Sequence, residues 1–244
     1  MITSTSNGQI KKIQQLLKKS RTRKDEGIFV AEGIKMFREA PPDRIEKIYL
    51  GASFAEKEIW KEILREKGLE GEKESLVEIV EDKVFKSLSD TVTPQGVLCL
   101  IRIKEGTLEE MIPKDRPALL MILEDLQDPG NLGTILRTGE GAGVTGIILS
   151  KNSVDIYNPK VIRSTMGSVY RVPFCYTSSI REEILPWLRE KKITGYAAHL
   201  EGKNSYDRED YTKGTAFFIG NEGNGLSREL SEKADIWIRI PMEG

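Results

Sequence analysis

Histidine and cysteine are scarce in this sequence, and their scarcity excludes several kinds of catalytic and metal site. The 244 residues include one histidine, His199, and two cysteines, Cys99 and Cys175. Both cysteines lie in apolar runs typical of buried strands, and two thiols can form neither a disulfide framework nor a thiolate metal cluster. A single histidine excludes a zinc site built on histidines, and no GxSxG motif supports a Ser-His-Asp triad. We therefore interpret His199 as a strand-end residue and predict no metal site.

Long apolar runs are also missing. No segment reaches the ~18 consecutive apolar residues of a membrane-spanning helix. The N-terminus, MITSTSNGQIKK, contains no hydrophobic stretch of the kind found in a secretory signal. The sequence therefore predicts neither a membrane span nor secretion, and it favours a cytoplasmic location.

The chain has no large excess of charge of either sign. Its 37 basic and 38 acidic residues give a net charge of −1, which argues against indiscriminate binding of nucleic acid. Positive charge is nevertheless concentrated near the N-terminus, where residues 11–24 include seven basic and no acidic side chains: Lys11, Lys12, Lys18, Lys19, Arg21, Arg23 and Lys24. Such a stretch fits contact with phosphate groups and, equally well, a solvated helix face.

Apolar runs alternate with amphipathic stretches along the whole chain, which predicts an α/β fold in two parts. We expect a small α/β domain over residues 1–105, a linker over 106–116 that leads up to Pro117, and a second α/β domain over 117–244. In the second domain, strands are predicted at 118–123, 145–150, 172–176, 193–198, 216–220 and 236–240, and helices at 131–142, 158–168, 179–191 and 224–233. Continuous apolar strands alternating with helices predict a parallel sheet covered on both faces.

A glycine-rich segment near the C-terminus follows one of these strands directly. Residues 220–225 read Gly-Asn-Glu-Gly-Asn-Gly, and Pro241 ends the last predicted strand. At the carboxyl edge of a parallel sheet such a loop can surround a small ligand, although glycine and asparagine also make ordinary tight turns. Glu222 favours the ligand interpretation, because a carboxylate among glycines has no packing role and can accept hydrogen bonds.

The first helix of the second domain carries two further candidates. Asp128 and Pro129 are a cap and a first-turn proline, and Asn131 and Arg137 fall outside the apolar stripe of that helix. A surface ion pair of Arg137 with Glu140 or Glu124 is the alternative to a functional role. The segment 158–173 places Arg163 and Ser164 near a helix end, where they can approach a phosphate or simply form a polar helix terminus.

Two nucleotide-binding motifs can be rejected. Residues 141–146 match G-x-G-x-x-G, but they follow a helix and precede a strand, which is the reverse of the Rossmann order. The sequence also lacks a GxxxxGK[ST] motif, so a P-loop is excluded.

Three segments together resemble the ordered motifs of the SpoU branch of the SPOUT RNA methyltransferases. They are NLGTILRT at 131–138, RSTMGSVYRVP at 163–173, and IGNEGNGLS at 219–227 with IRIPMEG at 238–244. The first half of the chain resembles the substrate-binding domain that many members carry, whose fold is shared with small RNA-binding ribosomal proteins. The branch continues past the position of Gly244 with a Ser-Leu-Asn-Val-type segment and a helix that closes the cofactor pocket.

The resemblance implies a trefoil-knotted domain, a homodimer, and transfer of a methyl group from S-adenosylmethionine to a ribose 2′-hydroxyl of structured RNA. Knots are rare, and strand periodicity gives no sign of one. The implied roles are catalysis by Arg137 with Asn131 and Glu222; cofactor binding by Leu200, Gly220, Asn221, Ile240 and Met242; and RNA contact by Ser164. Charge and position add Arg163, Lys18, Lys19, Arg21 and Arg23 as candidate RNA contacts.

The implied chemistry concerns alignment more than acid–base catalysis. Methyl transfer from a sulfonium is an in-line displacement, and a guanidinium does not deprotonate readily. We therefore expect Arg137 to bind phosphate and stabilise the developing alkoxide, oriented by Glu222, rather than to act as a base. Ribosomal RNA is the expected substrate. Transfer RNA, a non-catalytic RNA-binding relative, and a doubly wound enzyme for a small molecule are the alternatives.

Overall fold

The computed structural model describes residues 1–89, 91 and 93–241, without the side chains of residues 72–74. The chain folds into two compact units. Unit 1 comprises Met1–Lys104 and Asp155–Tyr170, and unit 2 comprises Glu105–Val154 and Arg171–Gly244. The domain boundaries drawn at residues 105 and 117 stay a prediction.

The first 104 residues contain six helices and four strands that the structure describes. In chain order they are α1 (Gly8–Lys18), α2 (Ser20–Glu26), β1 (Ile28–Glu32), α3 (Ile34–Glu39), β2 (Ile45–Gly51), α4 (Ala52–Ala55), α5 (Ile59–Glu66), β3 (Val77–Val80), α6 (Asp82–Lys86) and β4 (Val97–Arg102). The rest of the chain contributes β5 (Leu119–Leu123), α7 (Pro129–Gly141), β6 (Gly146–Ser150), α8 (Pro159–Thr165), β7 (Phe174–Thr177), α9 (Leu185–Glu190), β8 (Thr194–Ala198), β9 (Asn204–Ser205), β10 (Thr215–Ile219), α10 (Arg228–Ser231) and β11 (Ile236–Arg239).

Unit 1 is built on a four-stranded sheet in the order β1-β4-β2-β3. Strand β4 runs antiparallel to β1 and β2, and β2 runs parallel to β3. Ile10, Ile13 and Leu16 are fully buried on α1, because their spacing places them on one face of the helix. They belong to the same core cluster as Val30 of β1 and Leu100 of β4, so α1 covers one face of the sheet.

Unit 2 is built on a seven-stranded sheet in the order β7-β6-β5-β10-β8-β11-β9, and every strand pair in it is parallel. Its core includes Ile122 of β5 and Phe218 of β10, both fully buried, together with Trp187 of α9. This confirms the predicted α/β class with a parallel sheet and a smaller preceding unit. The six predicted strands are present. The seventh, β9, has two polar residues, too few for an apolar period to reveal.

Three predicted helices differ from those observed. The helix expected at 158–168 ends at Thr165 because Met166 has φ 54°, a left-handed conformation that does not continue a helix. A π-helical turn, Ile180–Ile184, precedes α9 within the helix expected at 179–191. The helix expected at 224–233 is reduced to the single turn α10. It starts only at Arg228, because the Ser227 side chain caps it by accepting a hydrogen bond from the Leu230 N–H.

Candidate active site

Four neighbouring strands of unit 2 end at the same edge of the sheet. The pairs Leu123–Ile219, Ala197–Phe218 and Ala198–Ile238 hold β5, β10, β8 and β11 in register. Because these strands are parallel, the segments that follow them emerge side by side. The predicted cofactor residues Leu200, Gly220 and Ile240 are thereby brought to one edge, each just past the end of its strand.

The glycine loop at 220–225 is a closed turn fixed by its own hydrogen bonds. The backbone groups of Asn221 and Gly225 exchange two bonds of 3.0 and 2.8 Å. The Asn221 side chain accepts from the N–H groups of Gly223 and Asn224, at 2.9 and 3.1 Å, and its Nδ2 donates to the Asp125 carbonyl at 2.9 Å. Asn221, predicted to contact the cofactor, therefore anchors the loop to the segment after β5.

Gly220 is required by a close approach of two backbone segments. A Cβ atom at this position would lie 2.1 Å from both the Gly225 carbonyl carbon and the Leu226 nitrogen. No side chain fits at that distance. The turn can therefore close only with glycine at position 220.

Glu222 holds the start of α7. Its carboxylate accepts hydrogen bonds from the N–H groups of Gln127 (3.1 Å) and Asp128 (2.8 Å) and from the Asn131 side-chain amide (3.3 Å). Partial desolvation raises the pKa of Glu222, but the N–H donors of Asp128 and Gln127 and the Asn131 amide outweigh it and lower that pKa below its ordinary value. The structure thus joins Glu222 to Asn131, two of the three predicted catalytic residues.

Arg137 lies on α7 with an exposed side chain. Neither carboxylate considered as its surface partner is available. Glu140 pairs with Arg171, and Glu124 accepts from the Ser227 hydroxyl and N–H, each at 2.7 Å. Among the residues that the structure describes, none forms a hydrogen bond or ion pair with the Arg137 guanidinium.

The expectation that Glu222 orients Arg137 directly is corrected by these contacts. The Glu222 carboxylate is occupied by the first turn of α7 and by Asn131. Glu222 therefore acts on Arg137 only by fixing the position of α7, the helix that carries Asn131 and Arg137.

The strand ends expected to hold the cofactor present exposed aliphatic side chains. Leu200 is 82% exposed and Ile240 is 51% exposed. Exposed apolar groups next to the strand-end backbone of Gly220 suit a ligand such as an adenosine, which has an apolar ring face and polar edges. Met242, the remaining cofactor candidate, lies outside the described residues.

His199 supports this edge structurally. Its ring stacks on Trp237 of β11 with ring centroids 4.2 Å apart, and its Nδ1 accepts from the Glu201 N–H at 3.2 Å. A Cβ on Gly202 would lie 2.6 Å from the Ile238 carbonyl carbon, so the connection after β8 packs closely on β11. These contacts account for His199 without a catalytic role.

The residues predicted to contact RNA lie in unit 1, and most of them are accessible. Lys18, Lys19, Arg21 and Arg163 are exposed. Arg21 forms an exposed ion pair with Asp25 at 3.5 Å, which contributes little to stability.

Ser164 is less available to RNA than its sequence position indicated. Its hydroxyl lies 3.0 Å from the Lys160 carbonyl and 2.9 Å from the Val161 carbonyl. A hydroxyl bonded back to the preceding turn of α8 is committed as a donor. It can still accept a hydrogen bond.

The prediction that Arg23 contacts RNA is corrected. The residue is only 3% exposed. Its Nε and Nη2 donate to the Asp155 carboxylate at 3.0 and 2.5 Å, and its Nη1 donates to the Leu16 carbonyl at 2.6 Å. Since these donors are engaged in the interior of unit 1, Arg23 joins α1 and α2 to the segment at 155–170 instead of binding phosphate.

Two carboxylates at this edge of the sheet, Glu124 and Asp125, were not predicted as site residues. Glu124 holds Ser227, and Asp125, at φ 52°, accepts from the Ser150 hydroxyl at 2.6 Å. Both line a polar cavity of about 330 Å³, with Lys151 and Arg181 also in its wall. The available signal was an acidic pair directly after a buried strand.

Two family models match the chain. The SpoU rRNA methylase family matches residues 118–244, and an MRM3-like substrate-binding domain matches residues 7–99. The α8 segment thus belongs by sequence to the methylase match, whereas it packs within unit 1.

Several known proteins are similar. A 23S rRNA (guanosine(2553)-2′-O)-methyltransferase from Bacillus subtilis is 30% identical, and the matched region covers 68% of this chain but only 64% of that protein. An uncharacterized tRNA/rRNA methyltransferase from Synechocystis is 32% identical over 98% of this chain and 85% of its own. Among solved structures, an rRNA methyltransferase from Sinorhizobium meliloti with S-adenosylmethionine bound superposes with a TM-score of 0.85 at 29% identity, covering 100% of this chain and 89% of that one.

These matches confirm the resemblance carried by the three motifs and by the first half of the sequence. They also remove the small-molecule alternative, since the family consists of RNA methyltransferases that use S-adenosylmethionine. The chain belongs to the SpoU rRNA methylase family.

Proposed function

We propose that this protein transfers a methyl group from S-adenosylmethionine to a ribose 2′-hydroxyl of ribosomal RNA. The observation that carries the proposal is the guanidinium of Arg137, which has no partner among the residues that the structure describes, on a helix whose start is bonded to the glycine loop through Glu222. The Bacillus relative is named for 2′-O-methylation of 23S rRNA, which supports this choice of substrate. Transfer RNA is a second candidate, because the Synechocystis relative is named for both RNA classes.

Each element of the site has a distinct part in the proposed reaction. The bound cofactor supplies an electrophilic methyl group. Leu200, Gly220 and Ile240 hold it at the strand ends, and the loop fixed by Asn221 sets its position. Arg137 binds a phosphate of the RNA and stabilises the negative charge that develops on the ribose oxygen.

Alignment is the main catalytic contribution expected of this site. An in-line displacement requires the hydroxyl oxygen, the methyl carbon and the sulfur to lie on one line, and holding them there removes much of the barrier. Glu222 and Asn131 contribute by fixing the start of α7, and with it the helix that carries Arg137. Arg163, Lys18, Lys19 and Arg21 are proposed RNA contacts in unit 1, where Ser164 can serve as a hydrogen-bond acceptor.

The trefoil knot, the homodimer and the cytoplasmic location are parts of the same proposal. They are supported by family membership and, for the location, by a ribosomal substrate. No helix in the described part of the chain is long and apolar enough to cross a membrane. Light scattering on the purified protein tests the dimer, for which twice the mass of one 27.5 kDa chain is expected.

Methyl transfer can be measured directly with tritiated cofactor and unmodified ribosomal RNA. We expect label in ribosomal RNA and protection of one phosphodiester bond from alkaline hydrolysis, since that cleavage needs a free 2′-hydroxyl. Unmodified transfer RNA serves as the parallel substrate. Label in transfer RNA alone would change the substrate, and RNA binding without label in either would support a non-catalytic relative.

A further inference from the structure

Unit 1 contains a cavity whose walls come from both ends of its sequence. It encloses about 240 Å³ and is lined on one side by residues of α1 and β1 and on the other by residues of α8. Leu17, Val30, Ile162 and Met166 supply apolar surface. The cavity is smaller than the ~300–1,000 Å³ sites that hold drug-sized molecules, so it suits one planar ring system.

The polar rim of this cavity presents an acceptor beside a donor. Glu32 Oε1 accepts from the Ser89 hydroxyl at 2.5 Å and from the Thr91 hydroxyl at 3.3 Å, which leaves Oε2 without a hydrogen bond from the described residues. Gln95 Oε1 accepts from the Ile34 N–H at 2.7 Å. This bond fixes the orientation of the Gln95 amide and leaves its Nε2 to donate.

Glu32 and Gln95 are close neighbours across Gly33. A Cβ on Gly33 would lie 2.9 Å from Gln95 Oε1, and Gly33 has φ 106°. Position 33 therefore needs glycine both for its backbone conformation and for the approach of Gln95. Glu32 and Gln95 therefore both line the cavity, each held by its own hydrogen bonds.

Exposed positive charge surrounds the same opening. Lys35 and Arg163 are exposed members of the cavity lining, and within the described part of the chain neither has an ion-pair partner. Lys18 follows Leu17, another lining residue, on α1. Basic side chains around an apolar cavity are suited to the phosphates on either side of an inserted base.

We propose that this cavity binds an unstacked guanine base of the RNA substrate. The proposal rests on the proposed function for the identity of the ligand as RNA. Guanine presents two adjacent donors, N1–H and N2–H, next to the acceptor O6. The carboxylate of Glu32 matches the donors, and the Gln95 amide matches O6.

The other bases fit the rim less well. Uracil offers one donor between two carbonyl oxygens, which would face the carboxylate. Adenine and cytosine each place a ring acceptor beside their amino group, where guanine has N1–H. RNA-binding proteins commonly read unstacked bases through their Watson–Crick edges in this way, and a mismatch leaves buried polar groups unpaired.

Fluorescence anisotropy with labelled nine-residue oligouridylates tests the proposal without requiring catalysis. The central residue is uridine, adenosine, cytidine, guanosine, inosine or 1-methylguanosine. We expect the guanosine oligomer to bind about ten-fold more tightly than the uridine oligomer. Inosine lacks N2–H and 1-methylguanosine lacks N1–H, so both should lose most of that preference.

Protein variants give an independent arm. Glu32→Gln should abolish the preference for guanosine while leaving binding of the uridine oligomer within about two-fold, since the phosphate contacts remain. Glu46→Gln is the matched control, because it removes the same charge from an exposed site of unit 1 outside the cavity; its preference should be unchanged. Thermal unfolding establishes that both variants are folded.

Two results would overturn the proposal. One is equal affinity of the wild type for all six oligomers. The other is a change in the oligomeric mass of the protein when Glu32 is replaced by Gln. Such a change would mean that the cavity holds a side chain from a second copy of the chain instead of a base. Tritiated methyl transfer is measured separately on the same preparations, so methylation without guanine preference removes only this inference, and guanine preference without methylation removes only the proposed reaction.

Discussion

Two arginines on helices of this protein, Arg23 on α2 and Arg137 on α7, lie in opposite surroundings. Arg23 is buried and donates to a carboxylate and a backbone carbonyl. Arg137 is exposed, and the two carboxylates considered as its partners, Glu140 and Glu124, are bonded to other residues. A buried guanidinium held by a carboxylate and a carbonyl supports the fold, whereas an exposed one with no partner in the described part of the chain is available to a substrate. The same residue type therefore has a structural role in unit 1 and a proposed catalytic role in unit 2.

The largest effect on stability should follow from removing Arg23. Arg23→Met leaves the Asp155 carboxylate, whose side chain is 16% exposed, without its partner, and breaking such a pair costs about 3–5 kcal/mol. Arg137→Met is the matched control and should change the free energy of unfolding by less than about 0.5 kcal/mol. Urea denaturation of both variants measures the difference. Equal stabilities would contradict the division of roles between the two arginines.

The largest effect on activity should follow from changing Arg137. Arg137→Lys keeps the charge but loses the planar, bidentate donor geometry, so the methyl-transfer rate should fall about 10²–10³-fold. Cofactor affinity, measured by calorimetry, should stay within about two-fold. Arg189→Lys, at an exposed position of α9 in the same unit, should keep full activity. Wild-type turnover in Arg137→Lys would remove this residue from the mechanism.

The glycine loop provides a comparison within one turn. Gly220→Ala introduces a Cβ atom 2.1 Å from backbone atoms, so the loop must open, at a cost of about 1–3 kcal/mol, and cofactor affinity should fall at least ten-fold. At Gly223 the nearest atom to an added Cβ is 3.5 Å away, so Gly223→Ala should bind the cofactor normally. Calorimetry measures the cofactor affinity of both variants and shows whether glycine is needed at position 220 in particular or throughout the loop. Equal affinities of Gly220→Ala and Gly223→Ala would show that the close approach at Gly220 is not needed for cofactor binding.

The smallest expected effect concerns the pH dependence of Glu222. Its pKa is lowered in the folded protein, so the ionised carboxylate adds stability above its unfolded pKa, and this is lost as the pH falls through the folded pKa. Glu222→Gln should therefore be less stable than the wild type near pH 7 by less than about 1 kcal/mol, since the group is exposed. The two proteins should become equally stable once the pH lies below the lowered pKa of Glu222. A difference that persists in acid would mean that the charge is not what holds α7.

Much of unit 2 could be predicted because its strands carry a strong local signal. Continuous apolar runs such as Leu119–Leu123, which are short and alternate with helices, favour buried strands in a covered sheet. The short strand β9 has too few residues to show a period. No local pattern indicates the left-handed Met166 or the bond from the Asn221 side chain to the Asp125 carbonyl, 96 positions away. The family and the fold class were confirmed, the predicted RNA contact of Arg23 was wrong, and the roles of the other site residues stay predictions.

Burial explains why the sequence misassigned Arg23. The residue lies in a run of seven basic side chains, and its partner Asp155 is 132 positions away in the chain. Charge patterning shows how many basic residues a segment has, but it does not show which of them faces the core. The contact between Glu222 and Asn131 was predictable only in part. The motifs placed both residues in one site, but they did not show that Glu222 accepts hydrogen bonds from the start of α7 and not from Arg137.

A crystal structure with S-adenosylhomocysteine bound would show whether the cofactor lies against the ends of β8, β10 and β11. We expect the product to contact the backbone at Gly220, Leu200 and Ile240, with the glycine loop closed by its Asn221–Gly225 bonds. Density in the polar cavity of Glu124 and Lys151, or contacts that leave Leu200 and Ile240 exposed, would contradict this expectation.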